Sequence, residues 1–189
     1  MKVSEETAIG DVGLRRRLVL PDAKGQIVFW SLFGGGLALD LWSKSAVHNW
    51  LDGRGRFSIV DGLLRFVWRQ NDGAAFNLFA GKSALLVGIA IVALMVVIGV
   101  FLFGGARQRL AHVAFGMFAG GICGNLYDRV FNGGQVRDFI EVYVRVGGRE
   151  RLWPAFNVAD SLLVVGVGLL IISTITAEKS AQRHAQQQK

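Results

Sequence analysis

Cysteine is almost missing from this sequence, and with one thiol, Cys123, in 189 residues an internal disulfide is excluded. Cys123 stands among Gly120, Gly121 and Gly124, where a small side chain permits close helix packing. A nucleophilic thiol would need a basic partner, and the nearest histidine, His112, is three helical turns away. Histidine is scarce too: His48, His112 and His184 are scattered, and no metal site is visible. Acidic residues are outnumbered, 14 against 21 Lys and Arg, for a net charge of +7. In a soluble protein that surplus would point to nucleic acid. Here the arginines flank apolar stretches, where they set topology and meet anionic headgroups, and no nucleic-acid motif accompanies them. Arg15-Arg16-Arg17 precedes an apolar stretch of span length with no small-x-small cleavage site after it, so no removable signal peptide is expected. No solenoid repeat is present.

What the chain has in abundance is apolar length. It is 52% hydrophobic with 25 glycines, which fits one integral membrane domain better than a soluble one. A span needs about 20 mostly apolar residues, and four segments qualify: 27–47, 83–104, 110–127 and 156–177. The expected fold is therefore membrane α-helical, a four-span domain over 27–177. A polar arm (1–26) precedes it and a solvated tail (178–189) follows. Four spans put both termini on one side. Lys and Arg divide 10 to the terminal side and 11 to the other, which decides nothing. Density does decide, because short loops and the first helix weigh most. Arg107 and Arg109 in the short second connection and the triple Arg before the first span place both termini in the cytoplasm.

The two outer segments have strand character. Phe57–Val60, Asp61-Gly62 and Leu63–Trp68 carry a hairpin signal, Asp-Gly suiting a type I′ turn. From Gln135 to Val146 the chain alternates: Val136, Asp138, Ile140, Val142 and Val144 share one face, and Arg137, Phe139, Glu141, Tyr143 and Arg145 share the other. Asp138 is then the single charge on an apolar face. Gly147-Gly148 ends the strand. A small extracytoplasmic β-sheet on the outer membrane surface is expected.

Up-down threading gathers polar residues from separated segments. Asp40 falls near the outer end of the first span and Asp128 at that of the third. Asp160 lies about four residues into the fourth, roughly 6 Å deep, while Asp138 comes from the strand and Asn71 precedes the second span. Ionisable groups at such depth default to a functional role. Asn125-x-x-Asp128 and Asn157-x-x-Asp160 each put amide and acid on one helix face. Asn157 also suits an N-cap, with Asp160 in the first turn. Asp128 beside Arg129 suits an interfacial ion pair that keeps it ionised. Asp40 and Lys44, at i,i+4, suit a structural pair reaching toward the interface. Asn71-Asp72-Gly73-Ala74-Ala75-Phe76 reads as a flexible, substrate-facing loop. Proton transfer needs a raised, coupled pKa, so Asp138 and Asp160 are the better catalytic pair.

These boxes resemble a family. Asp40-x-x-Ser43-Lys44, Asn71-x-Gly73-Ala-Ala-Phe76, Gly121-x-x-Gly-Asn125-x-x-Asp128-Arg129, Val136-x-Asp138-Phe139 and Phe156-Asn157-x-Ala159-Asp160-Ser161 are similar, in order, to the motifs of bacterial lipoprotein signal peptidase (signal peptidase II) over about residues 27–176. The resemblance implies an aspartic endopeptidase of the inner membrane that removes signal peptides from prolipoproteins just before the diacylglyceryl-modified Cys. It implies catalytic roles for Asp138 and Asp160. Site-shaping or substrate-holding roles fall on Asn71, Gly73, Asn125, Asp128, Arg129, Asn157 and Ala159, and structural ones on Asp40 and Lys44. Its partners would be the acylated signal peptide and membrane lipid, with neither metal nor organic cofactor. Two positions depart from the pattern, Leu41 where Gln is usual and Asn77 where a smaller residue is usual. The competing class is a small proton-coupled transporter or channel subunit, which would need polar residues along a whole crossing path. The second span has none, and the inner halves of the others are apolar.

Overall fold

The computed structural model of the protein describes residues 20–74, 78–104 and 108–187. Ala75, Phe76 and Asn77, Arg107 and the triple Arg lie outside the described residues. The elements are α1 (Ala23–Leu51), β1 (Arg56–Val60), β2 (Leu64–Asn71), α2 (Ser83–Phe103), α3 (Arg109–Phe131), β3 (Val136–Val146), β4 (Arg149–Leu152) and α4 (Val158–Gln187). Among the described residues three helices, α2, α3 and α4, are long and apolar enough to cross a membrane. The 29-residue α1 is interrupted by Asp40 and Lys44, both buried against its neighbours. The segment from 178, expected as a solvated tail, continues α4 to Gln187, with Glu178, Lys179 and Ser180 exposed. Its Glu, Lys, Ala, Gln and Arg are strong helix formers, and propagating an existing helix avoids the unfavourable nucleation step.

Glycine decides how the helices meet. Gly116, Gly120 and Gly124 recur every four residues on α3 and therefore form one stripe. A Cβ on Gly116 would sit 2.7 Å from the Phe29 carbonyl oxygen, and one on Gly120 3.1 Å from that of Phe33. On Gly121 it would meet the Ala159 carbonyl at 2.6 Å. Bare backbone thus lets α1 and α4 lie directly against α3. Contacts pair Gly25 with His112 at one end of α1 and α3, and Asp40 with Gly124 at the other, so these helices run parallel. Ser173 on α4 bonds Gln108 before α3, while Ala159 reaches Gly124, so α4 runs antiparallel. Phe29 and Phe101 stack with ring centroids 3.9 Å apart inside a core completed by Val97, Ala119 and Ile122. Around that core, Met95 is 60% exposed and Val164 73%. A helix apolar all round and uncovered is built for lipid.

Replacing Gly116 by Ala is expected to lower the thermal midpoint in detergent, because the new methyl meets α1 backbone and not a movable side chain. Overpacking of this kind costs about 1–3 kcal/mol. An unchanged midpoint by circular dichroism would contradict the backbone contact.

The sheet, order β1-β2-β3-β4, is antiparallel throughout. Its turns differ from expectation. At Asp61-Gly62 only Gly62 has positive φ (79°), and the register shifts between Ser58 and Val60, so this is not the type I′ turn. That geometry is found instead at Gly147 and Gly148, with φ of 59° and 75°, where two residues join β3 to β4. Gly147-Gly148 turns the strand back where the sequence suggested only an end. A second shift, between Phe66 and Arg69 of β2, leaves two residues facing one on β3. There the adjacent Asp138 and Phe139 are both buried, one on each face. Beyond them Phe139, Glu141 and Tyr143 are the buried set, so the all-apolar face with one charge persists only at Val136 and Asp138. Buried Glu141 is matched by Arg65 of β2, Nε to Oε2 2.6 Å, whose guanidinium also covers the Tyr143 ring.

Candidate active site

Where α1, α3, α4 and the sheet meet, each polar residue is placed by its own element. Phe156 bridges Ile140, donating to its carbonyl at 2.9 Å, so the start of α4 is fastened to β3. Asn157 then caps α4. Its Oδ1 accepts from Asp160 N (2.9 Å), and the Asp160 carboxylate accepts from Asn157 N (3.1 Å). This is a reciprocal capping box with Asp at its third position. The intervening Ala159 N donates to Asp40 Oδ1 at 2.8 Å, so α1 satisfies a first-turn N–H that the capping box leaves open.

The Asn side chains do more than cap. Asn157 Nδ2 donates to Asp138 Oδ1 (2.7 Å) and to Asn125 Oδ1 (3.1 Å). Asn125 Nδ2 donates to Asp160 Oδ1 at 2.7 Å. Asn71, the last residue of β2, donates to Asp138 Oδ2 at 3.1 Å while its own Oδ1 holds Gly73 N. Every carboxylate oxygen named here therefore receives an N–H, and the two acids are joined through two amides. Behind them lies an ionic cluster. Lys44 Nζ stands 2.7 Å from Asp40, 3.2 Å from Asp128 and 3.1 Å from Asn125 Oδ1, the three charged side chains inaccessible to solvent. Asp128 also accepts from Arg137 through N (3.0 Å), Nε (3.2 Å) and Nη2 (2.7 Å).

Two sequence expectations are corrected by this. The partners of Asp128 are Lys44 and Arg137, not the adjacent Arg129, which points the other way and donates to the carbonyls of Gly73 (2.7 Å) and Asn125 (3.3 Å). Consecutive residues on a helix are about 100° apart, so neighbours in sequence do not share a face. Lys44 does not reach for an interface; it is wholly buried at the cluster's centre. Arg137 was missed because its contacts depend on the fold of β3 against α3, although its place beside Asp138 was a usable hint. The loop expected to face substrate is described only to Ala74, and the Arg129–Gly73 bond ties it to α3.

Asp138 lies outside the spans, and burial, then the Asp160 charge, pushes its carboxyl up to about 7 against the opposing pull of the Asn71 and Asn157 N–H groups and Lys44. The folded protein holds this proton more tightly than the unfolded chain. Its contribution to stability is complete below the ordinary carboxylate range and is lost as pH rises through about 7. Carboxyl infrared difference titration of wild type against Asp138→Asn is expected to show one acid protonated until near neutrality. Full ionisation by about pH 5 would contradict the buried pair.

Fold and site together define a helical membrane protein of the enzyme class, with an acid and amide cluster where its sheet meets the bundle. Two solved structures, each described as a bacterial membrane enzyme determined by the in meso method, match it. One, at 2.3 Å, has TM-score 0.72 and 25% identity over 85% of this chain and 93% of its own. The other, at 1.9 Å, has TM-score 0.67 and 26% identity over 83% and 96%. The family model Signal peptidase (SPase) II matches residues 32–176, and the chain belongs to that family. Among its relatives, the lipoprotein signal peptidase of Sulfurihydrogenibium sp. is 37% identical over 71% of this chain and 83% of its own. That of Syntrophomonas wolfei is 36% identical over 83% and 99%.

Proposed function

We propose that the protein is an aspartic endopeptidase that removes the signal peptide from diacylglyceryl-modified prolipoproteins, with Asp138 and Asp160 as its catalytic pair. The observation that carries this is the amide-bridged pair, one acid from the sheet and one from a helix start, at the same end of a lipid-facing bundle. Family membership and the relatives' names supply the substrate class.

Two close carboxylates cannot both ionise cheaply, so they share a proton. Asp138, the more deeply desolvated, carries it. Ionised Asp160 takes a proton from a bound water, whose oxygen attacks the scissile carbonyl, while Asp138 gives its proton to the carbonyl oxygen. The tetrahedral diol then collapses. Its C–N bond breaks, a proton passes from Asp160 to the leaving nitrogen, and Asp138 recovers one from the diol hydroxyl. The products are a signal peptide carboxylate and a free amine on the lipidated Cys. No step uses a metal or an organic cofactor.

In this reading α1 crosses the bilayer with the other three helices, which puts both termini in the cytoplasm and the pocket near the outer face of the inner membrane. The substrate's apolar helix lies beside the spans, its acyl chains in lipid, and the sheet covers the cut. Site-shaping falls to Asn71, Gly73, Asn125, Asp128, Arg129, Asn157 and Ala159. The test is purified protein in detergent with one prolipoprotein presented acylated and unacylated. Mass spectrometry should find a new amino-terminal Cys from the acylated form only. Equal cleavage of both would remove the lipid requirement, and cleavage elsewhere would remove the assignment.

A further inference from the structure

Asn125 and Asn157 can help the two acids only if each amide presents nitrogen, not oxygen, to its carboxylate. For Asn157 the polarity is fixed by the Asp160 backbone N–H, a donor that only the amide oxygen can accept. For Asn125 two donors meet Oδ1, Asn157 Nδ2 at 3.1 Å and the Lys44 ammonium. Lys44 has three N–H groups and no acceptor, and its Nζ holds Asn125 Oδ1 at 3.1 Å, which leaves Nδ2 facing Asp160 Oδ1 at 2.7 Å. The other two Lys44 partners, Asp40 and Asp128, fix the ammonium in place.

Resting on the peptidase reading above, we propose that Lys44 is a positioning residue for the reaction: beside the neutral Asn157 N–H, its ammonium holds the polarity of the Asn125 amide so that Asp160 receives an N–H and remains the base. Without the ammonium, Asp128 and any remaining acid of the cluster compete for the Asn125 N–H. Turning the amide over to satisfy them presents its oxygen to Asp160, which that oxygen favours in the protonated, inactive form. The charged groups facing the pair are Lys44 from α1, Arg129 from α3 and the two acids themselves from β3 and α4. Asp40, Asp128 and Arg137 stand behind Lys44.

The experiment compares two double variants in which the Asp40–Lys44 charge pair is removed as a unit. Asp40→Asn/Lys44→Met leaves Asn125 Oδ1 only the neutral Asn157 N–H, whereas Asp40→Asn/Lys44→Gln adds a second amide N–H in place of the ammonium. With diacylated prolipoprotein in detergent, the Met variant is expected to lose about 100-fold in kcat, the scale of one lost preorganised donor. Its KM stays within about twofold, and the acid limb of its pH profile moves upward. The Gln variant recovers about 10-fold of that loss at an equal thermal midpoint, the share expected of a neutral N–H replacing a charged one. Equal kcat losses in both, or kcat within about threefold of wild type in both, overturns the role. Asn125→Asp supplies a route that leaves Lys44 in place. It is isosteric and gives Asp160 no N–H, so it must show the same kcat loss, and near-normal kcat there also overturns the role. A wild type that cleaves nothing overturns the peptidase reading, and this role with it, before any variant is compared.

Discussion

Asp138→Asn is expected to abolish prolipoprotein cleavage, a loss of at least about 10³-fold, while the helical circular dichroism spectrum stays that of the wild type. The general acid of a two-carboxylate hydrolase contributes about 10²–10⁴-fold, and Asn can neither give nor take the proton. Its shape matches the protonated acid, so the pocket keeps its volume. One of the two N–H donors at this position, from Asn71 or Asn157, then faces an amide NH₂ and not oxygen. That mismatch costs about 1 kcal/mol. Asp160→Asn is expected to lose cleavage equally and to be the less stable of the two variants. Asp160 also accepts the Asn157 backbone N–H in the capping box, and a lost cap costs about 0.5–2 kcal/mol. Cleavage rates alone cannot separate these roles; rates beside thermal midpoints can. Near-normal cleavage by either variant would remove the pair from the mechanism.

The largest expected loss of stability comes from Lys44→Met. Among the described residues it strips the only cation paired with the Asp40 carboxylate, whose remaining bond is to Ala159 N, and one of two paired with Asp128. Breaking a buried ion pair by removing one partner costs about 3–5 kcal/mol, because the other charge is left desolvated. The midpoint in detergent should fall by on the order of 10 °C. Adding Asp40→Asn should restore most of it, since the amide oxygen can still accept from Ala159 N without a net charge. If the single and double variants melt together, the stranded Asp40 charge is not the cause.

How much of this was readable beforehand differs by element. The apolar spans of α2, α3 and α4 were, because length and hydropathy need no partner to be recognised. Asp138 stood out because one charge interrupted an alternating strand, and Asn157 with Asp160 because a capping pattern is local. What stayed hidden depends on which surfaces meet. Arg137 becomes the partner of Asp128 only when β3 folds back against α3, and the sequence pointed instead to adjacent Arg129. The buried face of β3 changes at Asp138 and Phe139, where a shift in β2 that periodicity cannot show adjoins the site. Strand β4 was overlooked because its four residues, Arg149–Leu152, are exposed and carry no apolar alternation. Asp40 and Lys44 were visible as a pair. Their hold on Ala159 and Asn125 needed three helices in place.

A two-aspartate peptidase is tested by cleavage of a diacylated prolipoprotein by the purified chain in detergent with EDTA present, beside Asp160→Asn. Cleavage before the lipidated Cys by the wild type, and none by the folded variant, is the predicted result. No cleavage by a folded wild type, or cleavage by the variant at a comparable rate, would contradict a two-aspartate peptidase.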